Sequence, residues 1–231
     1  MMAAGSSTVE AADPDRPVPV VDAIRNAIID GEFAANQRLV EADLSEQFGA
    51  SRGNVRTALV QLTSEGLVER VQNRGARVRA VSLAEAIEIT EVRMALEGLC
   101  AAKAAKRLTD DDRDRLRGIG TAMQEAVESG DVLGYSELNR QLHGHIREFS
   151  GQATARAILE RLRWQSVRHR FRLAMHPGRP AVSLPQHLEI IDTLCAGDSE
   201  AAETAVRRHL QSVIDTLSLD NRSPGRHING S

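Results

Sequence analysis

Residues 51–81 read SRGNVRTALVQLTSEGLVERVQNRGARVRAV, and the spacing of their apolar residues changes partway along. Val55, Leu59 and Leu62, with Ala58 beside them, recur at the spacing of one helix face, while Arg52, Asn54 and Arg56 fall outside that stripe. After Glu65-Gly66 the period becomes that of a strand: Leu67-Val68 and Val71, a polar turn at Gln72-Asn73-Arg74-Gly75, then Ala76 and Val78 between arginines. The stretch therefore predicts a helix followed by a basic β-hairpin.

The segment just before it, LVEADLSEQFGAS, places Leu39, Leu44 and Phe48 on a second short helix. That helix stops at Gly49, and Ser51 is positioned to N-cap the next one. Helix, tight turn, helix and hairpin in this order make a winged helix-turn-helix. Arg52, Asn54 and Arg56 then stand near the N-terminus of a helix of the size that enters a major groove, where Arg reads guanine edges. Arg74 and Gly75 at the hairpin tip suit the DNA backbone or minor groove. Solvated arginines on an ordinary surface are the competing reading.

The register of these residues resembles the DNA-binding domain of GntR-type bacterial transcription regulators. The matching positions run Gln37-Arg38-Leu39, Glu41, Leu44, Phe48-Gly49, Ser51-Arg52, Val55-Arg56, Ala58-Leu59, Leu62, Glu65-Gly66-Leu67-Val68, Asn73-Arg74-Gly75 and Val78. The resemblance implies a homodimer on palindromic double-stranded operator DNA. Arg52 and Arg56 would read bases, Ser51 and Asn54 would lie at the same helix end, Arg74 and Gly75 would serve the wing, and Arg38 would meet phosphate.

The formal net charge of −3 runs against such a role. Its distribution does not: Arg52, Arg56, Arg70, Arg74, Arg77 and Arg79 face only Glu65 and Glu69 between Ser51 and Ala80. Phosphate contacts need positive charge only where the surfaces meet. At 231 residues and 42% hydrophobic, with 3% aromatic, the chain can bury one large or two small cores filled mainly by Leu, Ala, Ile and Val. No membrane-length apolar run and no signal-peptide pattern is present, which predicts a cytoplasmic protein. Cys100 and Cys195, each among apolar neighbours, are expected to be buried thiols.

The fold class that emerges is mainly α, with an N-terminal winged domain carrying a small β-hairpin and a C-terminal all-α bundle. Residues 1–16 are expected to be disordered, 17–81 to form the winged domain, 82–220 the helical domain and 221–231 a flexible tail. The winged domain opens with a Val21, Ile24, Ile28 and Ile29 stripe that stops at Asp30-Gly31. Ser82 with Glu85 predicts a capping box for a long helix to about Arg107. Thr109 or Asp110, Asp131, Gln152 and Asp198 are expected to open further helices, and His176-Pro177-Gly178-Arg179-Pro180 to separate two of them. Trp164, Val167 and Phe171 read as core, and the Arg168-His169-Arg170 run with Arg172 as a solvated or paired surface.

Asn139 and His143 stand four residues apart and so share a helix face, the spacing that two ligands of one metal need. His145 must point elsewhere. His187 and His209 lie on two helices joined at Gly197-Asp198, whose antiparallel packing can bring them level. Histidines that share no ion are the alternative.

Residues from about Leu83 to Thr216 also resemble the helical FCD domain that accompanies winged domains of the FadR subfamily. The match runs through Glu91-Val92-Arg93-Met94-Ala95-Leu96-Glu97 and Asn139-Arg140-Gln141-Leu142-His143-Gly144-His145-Ile146. It continues through Gln186-His187-Leu188-Glu189-Ile190-Ile191, Gly197-Asp198 and Arg208-His209-Leu210. The resemblance implies a divalent-metal site at Asn139, His143, His187 and His209, with Asn where Asp is commoner. An imidazole-rich set suits zinc or nickel better than magnesium or calcium. It further implies a small organic acid effector whose carboxylate completes the metal's shell. Arg93 either clamps the acid's far end or pairs with Glu97 one turn on. A metal-responsive regulator uses the same residues. A metal-dependent hydrolase is less favoured, since no HExxH, phosphate loop or GxSxG is present.

Overall fold

The computed structural model describes residues 19–71, 75–166 and 178–220. The N-terminal stretch 1–16, the wing tip with Arg74, the Arg168–Arg172 run, His176-Pro177 and the tail 221–231 lie outside the described residues, as does the side chain of Trp164. Nine helices and three short strands are described. In the first part these are α1 (Val20–Ile29), β1 (Arg38–Leu39), α2 (Glu41–Gln47), α3 (Arg52–Ser64), β2 (Val68–Val71) and β3 (Gly75–Val78). The second part holds α4 (Leu83–Ala105), α5 (Asp110–Glu128), α6 (Val132–Phe149), α7 (Ala153–Gln165), α8 (Arg179–Cys195) and α9 (Ser199–Asp220).

The strands form one antiparallel sheet in the order β1-β3-β2, with Arg38 opposite Arg77 and Val68 opposite Val78. β1 is absent from the sequence reading because two residues are too short to show alternation. It forms because β3 leaves an edge that Arg38–Leu39 can pair with. Leu39, Leu44, Val55, Leu59, Leu62, Val68 and Val78 close into one core with Ile24 and Ile28 of α1. Ser51 caps α3 by accepting a 3.2 Å bond from the Asn54 amide. Gly66, at φ +78°, turns the chain out of α3 into the hairpin, a conformation that a side chain would resist.

A second core is built from α4, α5, α6, α8 and α9, among them Cys100, Leu116, Met123, Leu142, Ile190, Leu194 and Leu210. α4 packs along α9 and also meets α6, α7 and α8, so it is the spine of the bundle. Ser82 caps it, accepting from the Glu85 amide at 3.1 Å. The expected reciprocal bond is not made, because the Glu85 carboxylate pairs with Arg79 instead. The complete capping box occurs at Thr109 and Asp112 of α5.

Two expectations change. α8 begins at Arg179, inside the stretch expected to separate two helices: Pro180 sits in the first turn, where a missing N–H costs nothing, and Pro185 is carried in the interior. Cys195 is only partly buried, although Cys100 is fully so. Leu62 is 0% exposed at the centre of the winged core. Leu62→Ala is expected to cost about 2–5 kcal/mol of stability, as a buried leucine truncated to a cavity does. Urea denaturation followed by circular dichroism measures it.

Candidate functional site

His143 of α6, His187 of α8 and His209 of α9 converge inside the bundle, each nine-tenths or more buried. One ligating nitrogen from each lies within 4.8 Å of the others. The rings of His187 and His209 have centroids 4.4 Å apart, and His143 lies 5.8 and 5.4 Å from them. The Gly197 turn, at φ +74°, folds α9 back along α8, and this levels two residues distant in sequence.

Hydrogen-bond partners decide which nitrogen each ring offers. His209 Nδ1 is 2.9 Å from Gln186 Oε1, and His143 Nδ1 is 2.8 Å from Glu97 Oε2, an ion-pair contact short of hydrogen-bond geometry; both oxygens can only accept, so both Nδ1 atoms carry the proton. For His187 the proton count runs through three groups. The Ser183 hydroxyl donates to the Arg179 carbonyl at 2.9 Å, so it must accept from Tyr135, whose oxygen is 2.8 Å away. The Tyr135 oxygen can then only accept from His187 Nδ1 at 2.7 Å. All three imidazoles thus keep Nε2 as a bare lone pair, the form a metal requires. His187 Nε2 is buried without any partner.

Asn139, one turn before His143 on α6, presents a buried Oδ1 that also lacks a partner. Orphaned buried acceptors cost free energy unless something absent from the protein satisfies them. Three imidazole lone pairs and an unpaired amide oxygen fit a borderline cation such as zinc or nickel.

Burial pushes His187 and His209 well below the ordinary histidine range, and neighbouring imidazoles push the same way. Burial also lowers His143, against the pull of Glu97. Burial works to raise the Glu97 carboxyl, yet Arg93 and His143 outweigh it and hold it well below the usual carboxylate range. Arg93 is buried and forks onto Glu97 Oε1 at 2.9 and 3.0 Å. The intrahelical pair is therefore formed, and it continues to His143 through the other oxygen of Glu97. His145 turns away, stacking on Phe149.

Glu97, Tyr135, Ser183 and Gln186 were not legible as site residues. Glu97 read only as a partner for Arg93, and the Tyr135 and Ser183 relay joins helices separated by 48 positions. Gln186 stands beside His187 in sequence but serves His209, which no spacing rule suggests.

On the winged domain, Arg52, Asn54 and Arg56 are exposed around the N-terminus of α3, and Arg38 is exposed on β1. Arg56 forks onto Glu41 of α2 at 2.8–3.2 Å, so its guanidinium is held in place before any ligand arrives. Gly75 opens β3 at φ +83° with open space around it.

Comparison with known proteins follows this division. Residues 18–78 match the bacterial regulatory proteins of the gntR family, and residues 88–212 match the FCD domain. The chain belongs to the gntR family. Members of this family are DNA-binding transcription regulators, and so is this FCD-containing GntR protein. It is 28% identical to the HTH-type transcriptional repressor RspR of Escherichia coli K12, over 89% of this chain and 91% of that one. It is 30% identical to an HTH-type transcriptional regulator in an unstable DNA locus of Streptomyces ambofaciens, over 84% and 81%. The solved structure of E. coli McbR/YncC shares the fold, with a TM-score of 0.74 at 24% identity, covering 87% of this chain and 96% of that one.

Tyr135→Phe removes the acceptor for His187 Nδ1 while filling the same hole. It is expected to weaken zinc or nickel binding about 10–100-fold with the helical content unchanged, as read by chelator competition and circular dichroism.

The metal-free protein is also expected to lose stability as pH falls. Unfolded histidines titrate near 6.5 and the buried three lie lower, so below about pH 6.5 the unfolded state takes up protons that the folded state refuses. Stability is full above that pH and falls below it. Denaturant titrations in chelator between about pH 7 and about pH 5 measure the slope.

Proposed function

We propose that this GntR regulator is a repressor whose operator affinity responds to a small organic acid bound at a divalent-metal centre. The observation that carries the reading is the set of three buried imidazoles whose Nδ1 atoms all face acceptors, with the orphaned Asn139 oxygen one helical turn before His143. Asn139, His143, His187 and His209 would hold the ion, zinc or nickel by donor chemistry. Such an ion supplies a Lewis-acid contact for a carboxylate. Asn139 brings no charge, so the site leans on its imidazoles and stays more cationic than an Asp-containing one, which favours an anionic ligand. Arg93 would reach the acid's far end with its remaining N–H groups while staying paired with Glu97, whose other oxygen lies against His143. Because Glu97 is committed to those partners, the geometry supports a sensor rather than a hydrolase.

For DNA, the reading is a cytoplasmic homodimer on a two-fold operator. Arg52 and Arg56 read bases, Ser51 and Asn54 hold the helix end, Arg38 meets phosphate, and Arg74 with Gly75 serves the wing. Repression is favoured by similarity to RspR, named a repressor.

The test measures operator affinity by fluorescence anisotropy while candidate acids are titrated into metal-loaded protein. Affinity is expected to change by a few-fold to about a hundredfold in wild type. The response should be lost in His187→Ala and weakened in Arg93→Lys, which keeps the charge without the fork. A response to metal alone, indifferent to every acid, would favour the ion as effector. Arg56→Ala is expected to weaken operator binding roughly 5- to 150-fold and to relax base preference. Equal loss on random DNA would assign Arg56 to phosphate.

A further inference from the structure

Between α6 and α7 lies an open cleft of about 340 Å³ on a face of α6 adjacent to, but distinct from, the one bearing Asn139 and His143. Arg140, Arg147, Arg156 and Arg163 line it, against the carboxylates of Glu148 and Glu160. Arg140 is held by Glu137. Arg147 is half-buried, yet among the described residues neither it nor Arg156 forms an ion pair. Burial pushes the Arg147 guanidinium below the ordinary arginine range. A partly desolvated guanidinium without a carboxylate is unfavourable unless an anion joins it.

The far side of α7 faces the DNA-binding domain. There Arg25, Ser64, Glu65, Ala157, Glu160 and Arg161 border a second cavity of about 420 Å³, so Glu160 belongs to both. At the end of α7 the Gln165 side chain lies so close over Gly66 that a Cβ there would come within 2.5 Å of it. Helix α7 therefore separates the basic cleft from the C-terminal end of the recognition helix α3.

We propose that the α6–α7 cleft binds a small dianion, and that α7 carries its occupancy to the base of α3. The two guanidiniums without an ion pair, Arg147 and Arg156, can both turn to one anion, and guanidinium forks recognise phosphate and carboxylate oxygens alike. A bound dianion takes over the arginines that Glu160 faces, releasing Glu160 toward the interdomain cavity and shifting the Gln165–Gly66 contact. The cleft shares no lining residue with the histidine centre, so its test can fail while the function proposed for that centre stands.

Trp164, the single tryptophan of the chain, precedes Gln165 on α7, which makes its fluorescence the chosen readout. Inorganic phosphate and succinate are titrated separately into chelator-treated full-length protein, followed by calorimetry and by tryptophan fluorescence. Saturable binding of at least one probe at millimolar concentration or below is expected, with a fluorescence change of the same midpoint. Phosphate alone would mark a phosphate-bearing ligand, and succinate alone a dicarboxylate. Binding should persist in His187→Ala and weaken tenfold or more in Arg140→Ala/Arg156→Ala, whose exposed positions leave the core intact. Failure of both probes to saturate overturns the site, as does loss of binding in His187→Ala or unchanged binding in the double variant. Binding with silent tryptophan fluorescence overturns the relay through α7.

Discussion

A buried imidazole can offer a lone pair to an ion only if its other nitrogen has somewhere to send its proton. The centre of this protein depends on that constraint three times over. Tyr135 and Gln186 each accept from one Nδ1–H, and Glu97 lies against the third. Burial keeps the rings neutral, because three charged imidazoles within 6 Å of one another would repel strongly in a poorly solvated interior. The same arrangement leaves polar atoms unsatisfied, which a folded protein tolerates where binding offsets the cost.

Helix α4 ties this centre to the rest of the molecule. Its first turn pairs with the wing through Glu85 and Arg79, while its third and fourth turns carry Arg93 and Glu97. Only residues 79–82 separate β3 from α4, so motion of the helix has a short covalent path to the sheet. Helix α7 offers a different path, by packing instead of connection, from Gln165 to Gly66. Two routes from one bundle to one recognition helix allow two ligands to act on the same equilibrium, provided each binds the two states differently.

The DNA face shows a related economy of charge. Arg56 is held by Glu41 and Arg77 by Glu69, at exposed positions where an ion pair contributes little and is screened by salt. Such pairs keep the guanidiniums ordered without holding them firmly, so phosphate or a base edge can replace the carboxylate at small cost.

The sequence by itself determined the helices, the hairpin and the identity of the converging histidines. Hydrophobic period, caps such as Ser51 and Thr109, and the Gly197-Asp198 stop are local signals, written in neighbouring residues. Asn139 and His143 share a face for the same reason. Only the tertiary structure decided what surrounds them: the Tyr135–Ser183 relay, the service of His209 by Gln186, the two-residue strand β1 and the contact of α7 with α3. Each of these joins elements far apart in the chain, and its energy comes from packing and desolvation that exist only once those elements meet. Periodicity reports which face of a helix is buried, but not which helix buries it.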